Sequence, residues 1–196
     1  MTPSPALSTT TRLLPFVFVV LWSTGFIGAR LGLPHIQPLT FLLIRYIAVL
    51  ACMLPIALLS RAPWPVGARQ WLHIGVAGLL VHGLYLGGVF IAISLGLPAG
   101  VASLVVSVQP LLTAIGAGFL LGATVSVRQW LGLLPGLLGV GLVVWNKLGQ
   151  DFGAAALIPA VVALLAITAG TLYQKKFCPV FDWRTGAVAQ FLPTMV

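Results

Sequence analysis

The polar side chains that interrupt long apolar stretches are the residues of this chain that could do chemistry. His82 and Tyr85 are three residues apart in one stretch, so they share a face if that stretch is helical. Arg45 lies within a second stretch, and Gln109 and Pro110 lie together in a third. An imidazole, a phenol, a guanidinium and an amide can bind a polar solute, so these residues indicate a binding site.

Catalytic chemistry has little support in the sequence. Hydrolysis needs a nucleophile with a base, or a metal cluster. The two acidic residues, Asp151 and Asp182, lie between the apolar stretches, and the histidines His35, His73 and His82 lack metal-site spacing. We therefore predict no catalytic residue, no metal, no cofactor and no enzyme activity. His82 is the one candidate proton site within a stretch, and a lone histidine without an acid makes a poor relay.

The elements that hold these residues follow from composition. Of the 196 residues, 60% are hydrophobic and 6% are charged, against about 25% charged in an ordinary soluble domain. So few charges cannot cover so much apolar surface in water, which excludes a soluble domain, a disordered chain and a disulfide scaffold. A helix that crosses a membrane needs about 20 apolar residues. The chain therefore has the length for a polytopic membrane protein, and the distant Cys52 and Cys178 are predicted to stay unpaired.

The apolar stretches have helical length and short connections, which predicts an all-α polytopic membrane protein with about six transmembrane helices plus part of a seventh. The seventh stretch starts at Thr185 and is too short to cross. The six predicted spans are Leu13–Leu33, Leu39–Leu59, Trp71–Leu97, Val101–Leu121, Val127–Trp145 and Ala154–Tyr173.

The basic residues predict the orientation. The net charge is +8 from ten Lys and Arg against two Asp and Glu. The basic residues occur singly or in pairs between apolar stretches, which argues against nucleic-acid binding and favours loops beside an anionic membrane surface. One side of the membrane would receive Arg12, Arg61, Arg69, Arg128, Lys175, Lys176 and Arg184, and the other Arg30 and Lys147. Cytoplasmic loops carry the excess of Lys and Arg, so the N-terminus is predicted to be cytoplasmic.

A weak internal repeat relates the first and sixth spans. A shift of 144 residues places Leu13-Leu14-Pro15 over Leu157-Ile158-Pro159 and Thr24 over Thr168. A duplicate that follows five spans must insert upside down, which is the inverted-repeat plan of many transporters.

Several motifs together resemble the drug/metabolite transporters of the EamA type. They are Leu21-Trp22-Ser23-Thr24-Gly25-Phe26, Gln37-Pro38-Leu39-Thr40-Phe41 with Arg45 four residues on, the run from Gly96 to Ser103 that leads into Val108–Ala114, and the glycine-rich Gly132–Gly141. The order and spacing of these motifs carry the resemblance. The chain departs from the family pattern at Leu121–Thr124, where a Glu is usual.

The resemblance implies a fold of ten spans in two inverted five-helix repeats. Residues 1–12 would be a cytoplasmic tail, 13–146 the first repeat, and 150–196 a truncated second repeat. The implied function is a multi-pass secondary transporter of the cell membrane that exports small metabolites such as amino acids by alternating access. The alternatives are an inactive or assembly-dependent fragment, and a half-transporter that acts as a homodimer.

Seven residues are candidates for the substrate pathway, and each has a structural alternative. Arg45 could bind a substrate carboxylate, or it could reach the interface or cap a helix end. His82 and Gln109 could instead bond to neighbouring helices. The pathway candidates are Trp22, Ser23, Arg45, His82, Tyr85, Gln109 and Pro110.

Small residues at helical spacing let two helices approach closely in a membrane. This pattern occurs twice, which predicts two helix-packing faces. They consist of Gly118 with Gly122 and Gly132 with Gly136.

Overall fold

The computed structural model describes residues 9–147 and 154–195, and within them the chain is helical without a β-strand. The predicted tail, residues 1–12, therefore lies largely outside the described residues, as does Asp151. The helices are α1 (Thr9–Gly32), α2 (Pro38–Leu59), α3 (Ala68–Gly78), α4 (Tyr85–Ser94), α5 (Ala99–Val106), α6 (Gln109–Leu121), α7 (Val127–Lys147), α8 (Ala154–Phe177) and α9 (Trp183–Phe191).

Two of the predicted spans contain irregular backbone. A π-helical turn, Leu79–Leu84, joins α3 to α4, and the three form one continuous helical segment. The fourth span is divided between α5, which ends at Val106, and α6, which begins at Gln109. Pro110 explains this break because its ring has no N–H and clashes with the carbonyl four residues earlier, which belongs to Val106.

The prediction of an all-α chain with membrane-spanning helices is confirmed, whereas the number of six spans stays a prediction. Four helical segments of the described residues are long and apolar enough to cross a membrane. They are Pro38–Leu59, Ala68–Ser94, Ala99–Leu121 and Ala155–Phe177. A shorter apolar segment, Phe16–Gly32, lies within α1, and α7 has 21 residues. The seventh stretch forms the nine-residue α9 and a 3₁₀ turn, Leu192–Met195.

The centre of the fold lies where α8 packs along α4. Small residues allow this approach: the Cβ of Ala163 and the carbonyl of Pro159 lie where a Cβ on Gly88 would stand. Ala160 and Ala163 of α8 are completely buried in the hydrophobic core at this contact. Helix α9 packs on α2 and α3, and the backbone of Gln190 touches Gly78. The helices of the sixth and seventh apolar stretches thus pack against helices of the first five.

The connection between α8 and α9 is fixed by polar groups. Asp182 caps α9, because its Oδ1 accepts a hydrogen bond from the Arg184 backbone N–H at 2.9 Å, and the Arg184 guanidinium donates to Oδ2 at 2.7 Å. The hydrogen bonds from the side chain and backbone of Arg184 lower the pKa of Asp182 to about 2. This carboxylate therefore stays ionised at neutral pH. Burial raises the pKa of the nearby Cys178 thiol, and both cysteines are free as predicted.

Candidate functional site

Four of the predicted pathway residues meet at one cavity of about 180 Å³, which we call the small cavity. Trp22 comes from α1, Arg45 from α2, His82 from the π-helical turn and Tyr85 from the start of α4. The rest of the lining is apolar, formed by Leu21, Gly25, Phe26, Val81, Leu86, Val89 and Phe90. The small cavity therefore combines apolar walls with one cation and three rings that can form hydrogen bonds.

Arg45 supplies the positive charge of this cavity. It lies seven residues after the start of α2, which corresponds to about 10 Å along the helix. Its side chain is exposed and, among the described residues, has neither an ion pair nor a hydrogen-bond partner. A charged group inside a membrane usually faces a partner, a bundle interior or a wet cavity. The guanidinium is consequently available for an anionic group in the small cavity.

The π-helical turn positions His82 and Tyr85. Such turns are rare and often occur at functional sites. The Tyr46 hydroxyl donates a hydrogen bond to the His82 carbonyl at 2.6 Å, which ties α2 to this turn. Tyr46 is almost fully buried, with 3% of its surface exposed. The sequence analysis missed this residue, although a phenol beside Arg45 in an apolar stretch was a usable signal.

The His82 ring is also held by α9. Its Nε2 lies 3.3 Å from Oε1 of Gln190, and its ring stacks on Phe191 with the ring centroids 4.1 Å apart. The Gln190 amide donates in turn to Oε1 of Gln174 on α8 at 3.3 Å. His82 thus lines the cavity and bonds to a neighbouring helix. Sequence analysis missed Gln190, because α9 was expected to be only an incomplete span.

Aromatic rings form the wall between α1 and α4. The rings of Trp22 and Tyr85 stack with their centroids 6.3 Å apart and their planes inclined by 30°. Tyr85 is only 4% exposed, whereas Trp22 is 42% exposed. Trp22 can therefore contact a solute on one side while Tyr85 supports it on the other.

The remaining candidates line a second, wide cavity of about 860 Å³ between α1, α5 and α6. Ser23, Gln109 and Pro110 lie there, and Trp22 belongs to both cavities. The Gln109 amide donates to Thr113 Oγ1 at 3.0 Å and to Thr171 Oγ1 on α8 at 3.4 Å. The structure thus places all seven candidates around two adjoining cavities, and their role in transport stays a prediction.

The four glycines of the two predicted helix-packing faces have few neighbouring atoms among the described residues. A Cβ at Gly132 or Gly136 would meet no described atom within 4 Å, and at Gly118 it would contact only the Ala123 carbonyl at 3.6 Å. Gly122 ends α6 with a left-handed φ of +62°, which glycine adopts without steric cost. Packing through these four glycines stays a prediction. Close contacts that the sequence analysis did not single out occur at Gly88, Gly116 and Gly170.

The described residues contain no cluster of three or more His, Cys, Asp or Glu that could hold a metal ion. The small cavity nevertheless has the chemistry to bind a small solute with one anionic group and an apolar or aromatic body. A guanidinium pairs with carboxylates, and the aromatic walls offer apolar contact.

Comparison with known proteins identifies the chain's relatives. The profile of the EamA-like transporter family matches residues 10–145. No solved structure matches the chain.

Three curated relatives illustrate the similarity. A protein of Escherichia coli (strain K12) named "Probable amino-acid metabolite efflux pump" is 27% identical over 83% of this chain and 52% of its own length. A protein of the same strain named "Uncharacterized inner membrane transporter YedA" is 25% identical over 88% of this chain and 56% of its own length. The protein PecM of Dickeya dadantii (strain 3937) is 31% identical over 85% of this chain and 54% of its own length. The chain spans about half the length of these relatives.

Proposed function

Because this chain belongs to the EamA-like transporter family, which is not an enzyme family, we propose that it forms half of a secondary transporter that exports small metabolites such as amino acids. The observation that carries the proposal is the convergence of Trp22, Arg45, His82 and Tyr85 on the small cavity. The name of the Escherichia coli relative supports amino acids as the substrate class. The substrate carboxylate would pair with Arg45, and its side chain would lie against Trp22.

The proposed mechanism is alternating access between two inverted five-helix repeats. In such transporters the substrate site lies near the membrane midplane between the repeats. Helices α1 to α7 would form five spans of the first repeat, and α8 and α9 would begin the second. The 21 residues of α7 correspond to about 31 Å, which matches a hydrocarbon core of about 30 Å.

The first test concerns the chain by itself. An alternating-access site needs both repeats, so the 196-residue chain in liposomes should give no saturable amino-acid uptake. A two-repeat form, in which this chain is continued by the remaining helices of the second repeat, should transport. Empty liposomes measure the leak. Saturable uptake by the chain alone would contradict the prediction and favour a homodimer of half-transporters, whereas a two-repeat form without transport would refute the proposed function.

The second test concerns orientation, for which we propose a cytoplasmic N-terminus. Seven basic residues between the apolar stretches would then be cytoplasmic and two would be outside. With Cys52 and Cys178 replaced by serine, a thiol reagent that does not cross membranes should label His35→Cys in intact cells but not Ala68→Cys. Both positions are exposed, so membrane permeabilisation should make both reactive. The reverse pattern in intact cells would refute this orientation.

A further inference from the structure

A third cavity lies apart from Arg45 and carries two further cations. It has a volume of about 680 Å³ and lies between α6, the start of α7 and the end of α8; we call it the basic groove. Arg128 lies in the first turn of α7 and Lys175 in the last turn of α8. Both side chains line the groove and both are exposed.

Among the described residues, no carboxylate compensates the charge of the groove. None of the residues that line it is acidic. Within the described ranges, the ion pair in the structure joins Arg184 to Asp182, so neither Arg128 nor Lys175 has a carboxylate partner there. Two cations at one cavity favour an anion with more than one negative oxygen, and a phosphate group has this property.

The position of the two cations identifies the level of the groove in the membrane. Helices α6 and α8 end at this side of the bundle and α7 begins there, so Arg128 and Lys175 lie at helix ends. Helix ends of membrane spans lie at the polar headgroups. Basic pockets between transmembrane helices at this level bind anionic lipid headgroups.

The groove has an apolar wall next to its charged end. Ala114 and Ala117 of α6 and Leu133 of α7 form this wall, and Gln109 and Thr113 lie beyond it, where the Gln109 amide donates a hydrogen bond to Thr113 Oγ1. Leu133 is five residues beyond Arg128, which places it about 7.5 Å farther along α7. A lipid has the same arrangement, with a phosphate at the interface and an acyl chain below it, whereas a free phosphate would leave this apolar wall uncovered.

We propose that the basic groove binds an anionic phospholipid, with its phosphate between Arg128 and Lys175 and one acyl chain along α6. The site is separate from the small cavity, because the two cavities have no lining residue in common, whereas Gln109 and Pro110 line both the groove and the wide cavity. The occupant is a lipid of the surrounding membrane and not the transported solute.

Native mass spectrometry of the purified 196-residue chain tests this proposal. The chain in detergent is titrated with dioleoyl phosphatidylglycerol or with dioleoyl phosphatidylcholine. One basic side chain near a membrane surface changes the affinity for anionic lipid by about fivefold. The wild-type chain, with two such side chains, should therefore prefer phosphatidylglycerol by roughly 25-fold. The double variant Arg128→Gln, Lys175→Gln should lose most of that preference.

Three controls make the result specific to the groove. Arg69→Gln removes an exposed cation at the start of α3 that does not line the groove, and it should retain the preference. The double variant Arg128→Lys, Lys175→Arg keeps both charges and should also retain the preference. It tests the proposal even if the glutamine variant does not fold. A large molar excess of inorganic phosphate should not displace the lipid.

Three results would overturn the proposal. Equal binding of both lipids by the wild type would show that the groove does not select anions. An equal loss in Arg69→Gln would show a general effect of surface charge. Displacement by inorganic phosphate would show that the groove holds a free anion and not a lipid.

Discussion

Protein with alanine at Gly88 should be markedly less stable than wild type, whereas alanine at the adjacent Gly87 should be tolerated. A Cβ at Gly88 would stand 2.6 Å from the Pro159 carbonyl oxygen and 3.0 Å from the Ala163 Cβ. Both belong to α8, whose backbone cannot move without disturbing the centre of the fold. Overpacking of this kind costs about 1–3 kcal/mol, and the upper end is favoured because the nearest atom is a backbone carbonyl oxygen.

Gly87 is a matched control because it lies in the same helix and a Cβ there would meet no described atom within 4 Å. Alanine has a helix propensity about 1 kcal/mol better than glycine, so Gly87→Ala should be neutral or slightly stabilising. Thermal unfolding of the two purified variants in one detergent measures the difference. Equal melting temperatures would show that α4 and α8 do not approach as closely as the structure has them.

The helical fold could be predicted from sequence because it depends on local composition. Stretches of about 20 apolar residues can only be stable as helices in lipid, and Pro110 marks the break before α6. The π-helical turn could not be predicted in this way. Its carbonyl at His82 is bonded by the Tyr46 hydroxyl, and a contact between residues 36 positions apart leaves no local pattern.

Glycine spacing alone does not identify which helices pack together. A small-residue pattern shows where another helix could approach but not which helix stands there. Gly132 and Gly136 have the spacing, yet no described atom would meet a Cβ at either. Gly170 follows Ala166 at the same spacing in α8, a pair that the sequence analysis did not single out, and a Cβ at Gly170 would meet Leu80 and Val81. The partner of a glycine is set by tertiary structure.

The small cavity was predicted in part. Polar residues inside apolar stretches are costly unless they face a partner or a cavity, and this argument selected Arg45, His82 and Tyr85. It could not select Gln190, whose importance depends on α9 packing against the π-helical turn. Sequence reasoning found the residues with unusual chemistry and missed those that hold them in place.

Arg45→Gln should weaken transport of carboxylate substrates by the two-repeat form. A hydrogen bond to a charged group contributes about 1.5–3 kcal/mol, so its loss should raise KM by roughly 10- to 100-fold. Arg45→Lys keeps the charge but loses the bidentate geometry and should retain part of the affinity. Arg69→Gln, which removes a cation outside the small cavity, should leave KM unchanged.

The substrate itself separates binding by Arg45 from a structural role. If the guanidinium pairs with the carboxylate, an amine analogue that lacks this group should be transported equally by wild type and Arg45→Gln. If Arg45 instead reaches the membrane interface and supports the fold, the variant should lose protein yield and transport of both compounds together. Paired KM measurements on an amino acid and its amine analogue therefore decide the point. Equal losses for both compounds would refute the carboxylate contact, because an amine has no group for the guanidinium to bind.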